Sequence, residues 1–107
     1  MFKTITLFII CVLLSVSAFA GGGSANGKIT RLHFWQGHNG LLFSHESKVN
    51  PDSCSRTDQY ILRKSHPYFD EIYSLMLAAH FSKEPITLYF SECYEGFPSL
   101  VHIYSVK

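Results

Sequence analysis

The chain has 107 residues, of which 47% are hydrophobic, 15% aromatic and 16% charged, with a formal net charge of +1. That length admits one domain and excludes a multi-domain enzyme. Few charges among many aromatic and β-branched residues exclude a disordered chain, and near-neutrality leaves no basic footprint for nucleic acid.

The apolar residues are unevenly spread. Met1-Phe2-Lys3 gives a positive start, Ile5 to Leu14 an apolar stretch, and Ser15 to Ala20 ends in an Ala18-Phe19-Ala20 step with small residues at the cleavage positions before Gly21. This is the order of a secretory signal peptide over residues 1–20, cut after Ala20. A membrane-spanning helix needs about 20 apolar residues, more than this stretch supplies. Lipid attachment at Cys11 would need a small residue just before it, and Phe8-Ile9-Ile10 stands there instead. The expected location is secreted or periplasmic, with no membrane span in the mature chain. Export removes Lys3 and Cys11, leaving eight Lys and Arg against eight Asp and Glu, all six histidines, and two cysteines, Cys54 and Cys93. In an oxidising compartment such a pair is most simply one disulfide. It would close a loop of about 40 residues, worth about 4 kcal/mol in the chain-entropy model. A catalytic Cys–His pair is the competing reading.

Gly21 to Asn26 reads as a flexible leader, and residues 27–107 as a single domain. Ile29 to Trp35 is rich in β-formers and predicts a first strand. Its alternation puts Leu32 and Phe34 toward the core and Arg31, His33 and Trp35 outward. Asn39-Gly40 predicts a type I′ hairpin turn into a second strand, Leu41 to Phe43. His45 to Asp58 is a polar loop that carries Cys54, with Asn50-Pro51-Asp52 as a turn signal. Gln59 to Leu62 is a short third strand. A helix follows from Pro67 to Ser82, with Ser65 or His66 as its cap and Asp70 and Glu71 at its positive end. Phe69, Ile72, Met76 and Ala79 make one buried stripe along it, with Leu75 beside them. Lys83-Glu84-Pro85 stops it. Ile86 to Phe90 is the fourth strand, Cys93 to Pro98 a turn, and Leu100 to Val106 the fifth. The order β-β-β-α-β-β is that of a five-stranded OB-fold, a small Greek-key barrel. An open α+β sheet with one helix packed on it is the alternative.

These elements, the Gly27-Lys28-Ile29-Thr30 opening and the helix followed by Pro85-Ile86 resemble the secreted B subunits of subtilase cytotoxin. So does the turn carrying Cys93, Gly96 and Pro98. The pattern is similar to that of pertussis-like toxin B subunits, and to small secreted proteins of marine and enteric gammaproteobacteria. It covers most of residues 27 to 106 as spaced positions without a run of identity. The resemblance implies an OB-fold, a ring-shaped homopentamer and binding of cell-surface glycans. Asn26 stands where the toxin subunits place a sugar-reading serine, so no sugar-binding residue carries across. The toxin subunits also hold more cysteines.

The residues themselves carry little catalytic signal. No G-x-S-x-G elbow is present, and Asp70-Glu71 diverge on a helix, whereas glycoside hydrolysis needs two carboxyls across a cleft. The histidines lack metal-ligand spacing, with His33 and His45 across the hairpin as the one conceivable pair. The expectation is a protein that is not an enzyme, with no cofactor and no metal. Arg31, His33 and Trp35 form the first candidate binding patch, since an indole face beside a guanidinium fork suits a sugar or a protein. The loop holding Arg56 and Asp58 is the second. The leading expectation is a glycan-binding homo-oligomer. The alternative is a monomeric periplasmic protein, stress-related or an inhibitor, that binds another protein.

Overall fold

The computed structural model describes residues 22–105. The export segment, Cys11 and the end of the fifth expected strand at Val106 lie outside the described residues. In chain order the elements are β1 (Gly23–Gly27), β2 (Ile29–His33), β3 (Gly40–His45), β4 (Tyr60–Arg63), α1 (Phe69–Ser82), β5 (Ile86–Tyr94) and β6 (Phe97–Ser105). The described chain is mainly β with one helix. Its strands form a six-stranded mixed sheet in the order β1-β5-β6-β4-β3-β2. Neighbours are antiparallel except β4 and β6, which run parallel with Ile61 aligned to Ser99. The two edge strands, β1 and β2, are consecutive in the chain and joined through Lys28 alone. None of the described helices is long and apolar enough to cross a membrane.

The first strand differs most from expectation. Gly23–Gly27, expected within a flexible leader, is strand β1. Its sequence has no strong β-former, so tertiary pairing decides: Ala25 lies opposite Leu88 of β5 and is buried. Six strands therefore stand where five were expected. The β2–β3 register shifts between Ile29 and Arg31, leaving Thr30 as an extra residue. Ile29 and Leu32 are three apart, so without the bulge they would face opposite sides. With it, both pack against the main core. The strand ends at His33, and Phe34, expected in the core, is 57% exposed.

The hairpin turn also moves. The His38 N–H donates to the Trp35 carbonyl at 3.2 Å around Gln36-Gly37, and Gly37 has a positive φ of 98°. Gly40, expected in the turn, is instead a buried residue of β3 against the Leu62 main chain. The turn between β5 and β6 tightens to Glu95-Gly96, both at positive φ as a type I′ turn requires. Tyr94 pairs with Phe97 across it.

Helix α1 buries the expected stripe of Phe69, Ile72, Met76 and Ala79. It begins two residues later than expected, after Tyr68, and no side chain caps its first turn. Neither Ser65 nor His66 occupies the cap position. His66 Nδ1 instead accepts the Tyr68 N–H at 3.0 Å, while its Nε2 donates to the Val101 carbonyl at 2.6 Å and ties the helix entry to β6. At the other end Lys83 turns left-handed at φ 58°, and Pro85 prevents continuation.

The core lies between the helix and the inward faces of the strands. Leu41 and Phe43 enter from β3, Tyr60 and Leu62 from β4, and Ile86, Leu88 and Phe90 from β5. Tyr60 stacks on Phe90 at 4.4 Å. The Tyr60 hydroxyl donates to the Ser47 carbonyl at 2.9 Å and accepts the Val49 N–H at 2.7 Å. Burial pushes this phenol's pKa upward, opposed by the Val49 hydrogen bond. A second, smaller cluster of Leu42, Ile61 and Phe97 sits apart from the main core. The run Leu41-Leu42-Phe43 is therefore buried on both faces, as a continuous apolar strand should be.

Candidate functional site

The small cluster is the floor of the candidate site. A surface cleft of about 280 Å³ is lined by Trp35, His38, Leu42, Arg56, Asp58 and Phe97, with Gln36 and Gln59. A neighbouring cleft holds Arg31, His33 and Phe34 and shares Trp35 and Gln59 with the first. The two patches expected from sequence, on strand one and on the polar loop, are thus parts of one surface. All five residues singled out as binding candidates (Arg31, His33, Trp35, Arg56 and Asp58) line it. Sequence reasoning missed Gln36 and His38, brought in by the turn at Gln36-Gly37, Gln59, at the entry to β4, and Phe97, on the β5–β6 hairpin.

The disulfide between Cys54 and Cys93 is present, with Cα atoms 5.6 Å apart. It fixes the loop against the β5–β6 hairpin beside the cleft. The Asn50 carboxamide reinforces it: Oδ1 accepts the Cys54 N–H at 2.7 Å and Nδ2 donates to the Cys54 carbonyl at 2.8 Å. Asp52 accepts the Glu92 N–H at 2.8 Å, and the Arg56 N–H donates to the Gly96 carbonyl at 2.8 Å. A loop without regular structure is thereby held at four points.

The side chains within the cleft are ordered by one another. Arg56 donates from Nε and Nη2 to the Asp58 carboxylate at 3.2 and 2.8 Å. These hydrogen bonds, above other causes, hold the Asp58 carboxyl below its usual range. The guanidinium lies 4.7 Å from the Phe97 ring centroid, a cation–π contact. His38 meets the same ring edge-on at 5.4 Å and donates from Nδ1 to Glu95 at 2.8 Å. Glu95 also accepts the Asn39 N–H at 3.0 Å. The His38 hydrogen bond, then that of Asn39, lowers the Glu95 pKa.

Trp35 stands between the two clefts, 61% exposed. Its ring meets His33 edge-on at 5.8 Å, which steadies it while leaving most of its surface open. Both ring nitrogens of His33 are shielded from water, and the Gln59 side chain lies beside the ring without reaching hydrogen-bond geometry. Burial and then the Arg31 charge lower the His33 pKa, opposed by the Gln59 side chain. His33 lies opposite Leu42 and His45 opposite Ile29, so the conceivable His33–His45 pair does not form. No group of three or more His, Cys, Asp or Glu among the described residues could hold a metal ion.

Adjoining these clefts, Leu32, Phe34, Tyr73, Leu77 and Phe81, with His33 and His80, line a largely apolar cleft of about 190 Å³ against α1. Phe81 is 77% exposed.

Compared with known protein families, with curated proteins and with solved structures, the chain finds no match.

Proposed function

We propose that this chain is a secreted or periplasmic binding protein, not an enzyme, built as an OB-fold-like barrel and binding cell-surface glycans as a homo-oligomer. The toxin B subunits that it resembles suggest a ring of five copies. The observation that carries the binding reading is the exposed indole of Trp35 beside the Arg56–Asp58 pair, with the Gln36 and Gln59 amides around them. A flat apolar face ringed by fixed hydrogen-bonding groups suits a sugar ring, which has apolar C–H faces and a polar rim.

The barrel reading rests on the sheet edges. In a flat six-stranded sheet the edges would stand about 24 Å apart, at about 4.8 Å per gap. Gly27 and Ile29, one on each edge, can be no more than about 7.6 Å apart across two peptide units. Edges brought this close favour a curled sheet, in which the order β2-β3-β4-β6-β5-β1 leads back toward its start. Counting β1 and β2 as one bent strand gives the five strands of an OB-fold.

A glycan array on the folded, disulfide-bonded mature chain tests the sugar part, and no binding to any glycan would remove it. Native mass spectrometry tests the ring, and a monomer at micromolar concentration would remove it. Exposed Phe34 and Phe81 beside the apolar cleft favour a second reading, a monomer that binds another protein. A pull-down from envelope extract with Phe81→Ser as control separates the two.

A further inference from the structure

Resting on that glycan reading, the charge arrangement of the cleft narrows the class of sugar. Arg56 and Asp58 neutralise each other through two hydrogen bonds. Glu95 is held by His38 and by the Asn39 N–H. Arg56, Asp58 and Glu95 therefore each have their partner inside the protein. The remaining lining groups are neutral: the Gln36 and Gln59 amides, Trp35, Leu42 and Phe97.

The pair also leaves a specific set of hydrogen-bonding positions open. With Nε and one Nη2 hydrogen engaged, Nη1 and the second Nη2 hydrogen stay free. The Asp58 carboxylate also meets the main-chain N–H groups of Asp58 and Gln59, yet both side chains of the pair stay about half exposed, so its outer edge can still accept from a ligand. Donors and acceptors thus sit side by side on one edge. A hydroxyl both donates and accepts, so two neighbouring hydroxyls can satisfy such an edge. A carboxylate or sulfate can only accept, and it would face the Asp58 carboxylate at close range. The Phe97 ring holds the guanidinium flat, which fixes the direction of these positions. Trp35, adjoining, offers its π face to the weakly positive C–H groups of a sugar.

We infer that this cleft takes a neutral sugar bearing adjacent free hydroxyls, stacked on Trp35 and held by the Arg56–Asp58 edge. Arg31, in the neighbouring cleft, has no carboxylate partner within ion-pair distance among the described residues. It is the group that an acidic sugar would seek instead, which gives the experiment two distinguishable arms.

The test is titration calorimetry of the mature disulfide-bonded chain with methyl α-mannopyranoside, methyl β-galactopyranoside and N-acetylneuraminic acid, after an array of neutral and acidic glycans. The expected result is binding of a neutral glycoside that weakens at least about tenfold, 1.4 kcal/mol, in Trp35→Ala and in Asp58→Asn. Glu71→Gln, exposed on α1 away from both clefts, should leave it unchanged. Circular dichroism and intact mass confirm that each variant is folded and bridged. Binding confined to acidic sugars and lost in Arg31→Ala would overturn the inference while keeping the glycan reading. Failure of every glycan on folded protein would overturn both.

Discussion

The main-chain N–H of Arg56 donates to the carbonyl of Gly96 at 2.8 Å, tying the polar loop to the tip of the β5–β6 hairpin. The Cys54–Cys93 bridge lies a few residues away on both segments. Together they set the distance between the Arg56–Asp58 pair, which sits on the loop, and Phe97, which sits on the hairpin. The bridge thus positions the two walls of the cleft as well as stabilising the fold.

Removing it should act on both. A Cys54→Ser/Cys93→Ser variant is expected to lose about 4 kcal/mol of unfolding free energy, from closure of a loop of about 40 residues. Urea denaturation followed by fluorescence measures this. Sugar affinity should fall further than the lost stability requires, read under conditions where the variant is still folded. An intact mass that does not rise by two hydrogens on reduction of the wild-type chain would contradict the bridge.

His33 predicts a pH dependence. Its pKa is lowered in the folded chain by burial first and the Arg31 charge second, from an ordinary value of 6.5. The unfolded chain therefore binds the proton more readily, and stability rises with pH. The contribution is intact above about pH 6.5, erodes as pH falls below it, and is fully lost below the lowered folded value. Thermal unfolding of the wild-type chain should weaken on acidification through this window. His33→Gln should flatten that slope, and an unchanged slope would show that other groups carry it.

What was legible in the sequence followed from local pattern. The helical stripe from Phe69 to Ala79 repeats at helical spacing, and the apolar run at Leu41 to Phe43 is strong enough to define its strand alone. Strand β1 was illegible because Gly-Ser-Ala-Asn-Gly has no intrinsic preference for a strand, and only Leu88 and its neighbours give it one. The bulge at Thr30 was hidden for a related reason: it reconciles Ile29 with Leu32 through the partner strand. The loop from Asn50 to Asp58 showed its polar groups but not their use. Arg56 finds Phe97, 41 positions along the chain, through tertiary contacts that no local spacing encodes.

Two glycines in the first hairpin should respond differently to alanine. Gly40 faces the Leu62 carbonyl so closely that a Cβ would overlap main-chain atoms. The obstruction is backbone and cannot rotate away, so Gly40→Ala should cost about 3 kcal/mol, the upper range for overpacking. Gly37 has open space around it but a φ of 98°. Gly37→Ala should cost about 1 kcal/mol, from the left-handed backbone alone. Denaturant midpoints for the two variants give the comparison, and equal losses would contradict this assignment of the turn.

The joining of the sheet edges through Lys28 makes β1 a test of barrel closure. Ala25 is buried opposite Leu88, whereas Asn26 beside it is exposed. Ala25→Asp would place an unpartnered carboxylate in the core at a cost of at least about 2 kcal/mol. Asn26→Asp, one residue along and on the outer side, should change stability by less than about 0.5 kcal/mol. β1 pairs with β5, so its detachment also exposes the outer edge of β5. Hydrogen exchange should then quicken at the β1 and β5 amides in Ala25→Asp, while β3 and β4 keep their protection. Uniform loss across all strands would mean that β1 is required for the whole fold. No loss at β5 would contradict the β1–β5 pairing, on which closure through Lys28 depends.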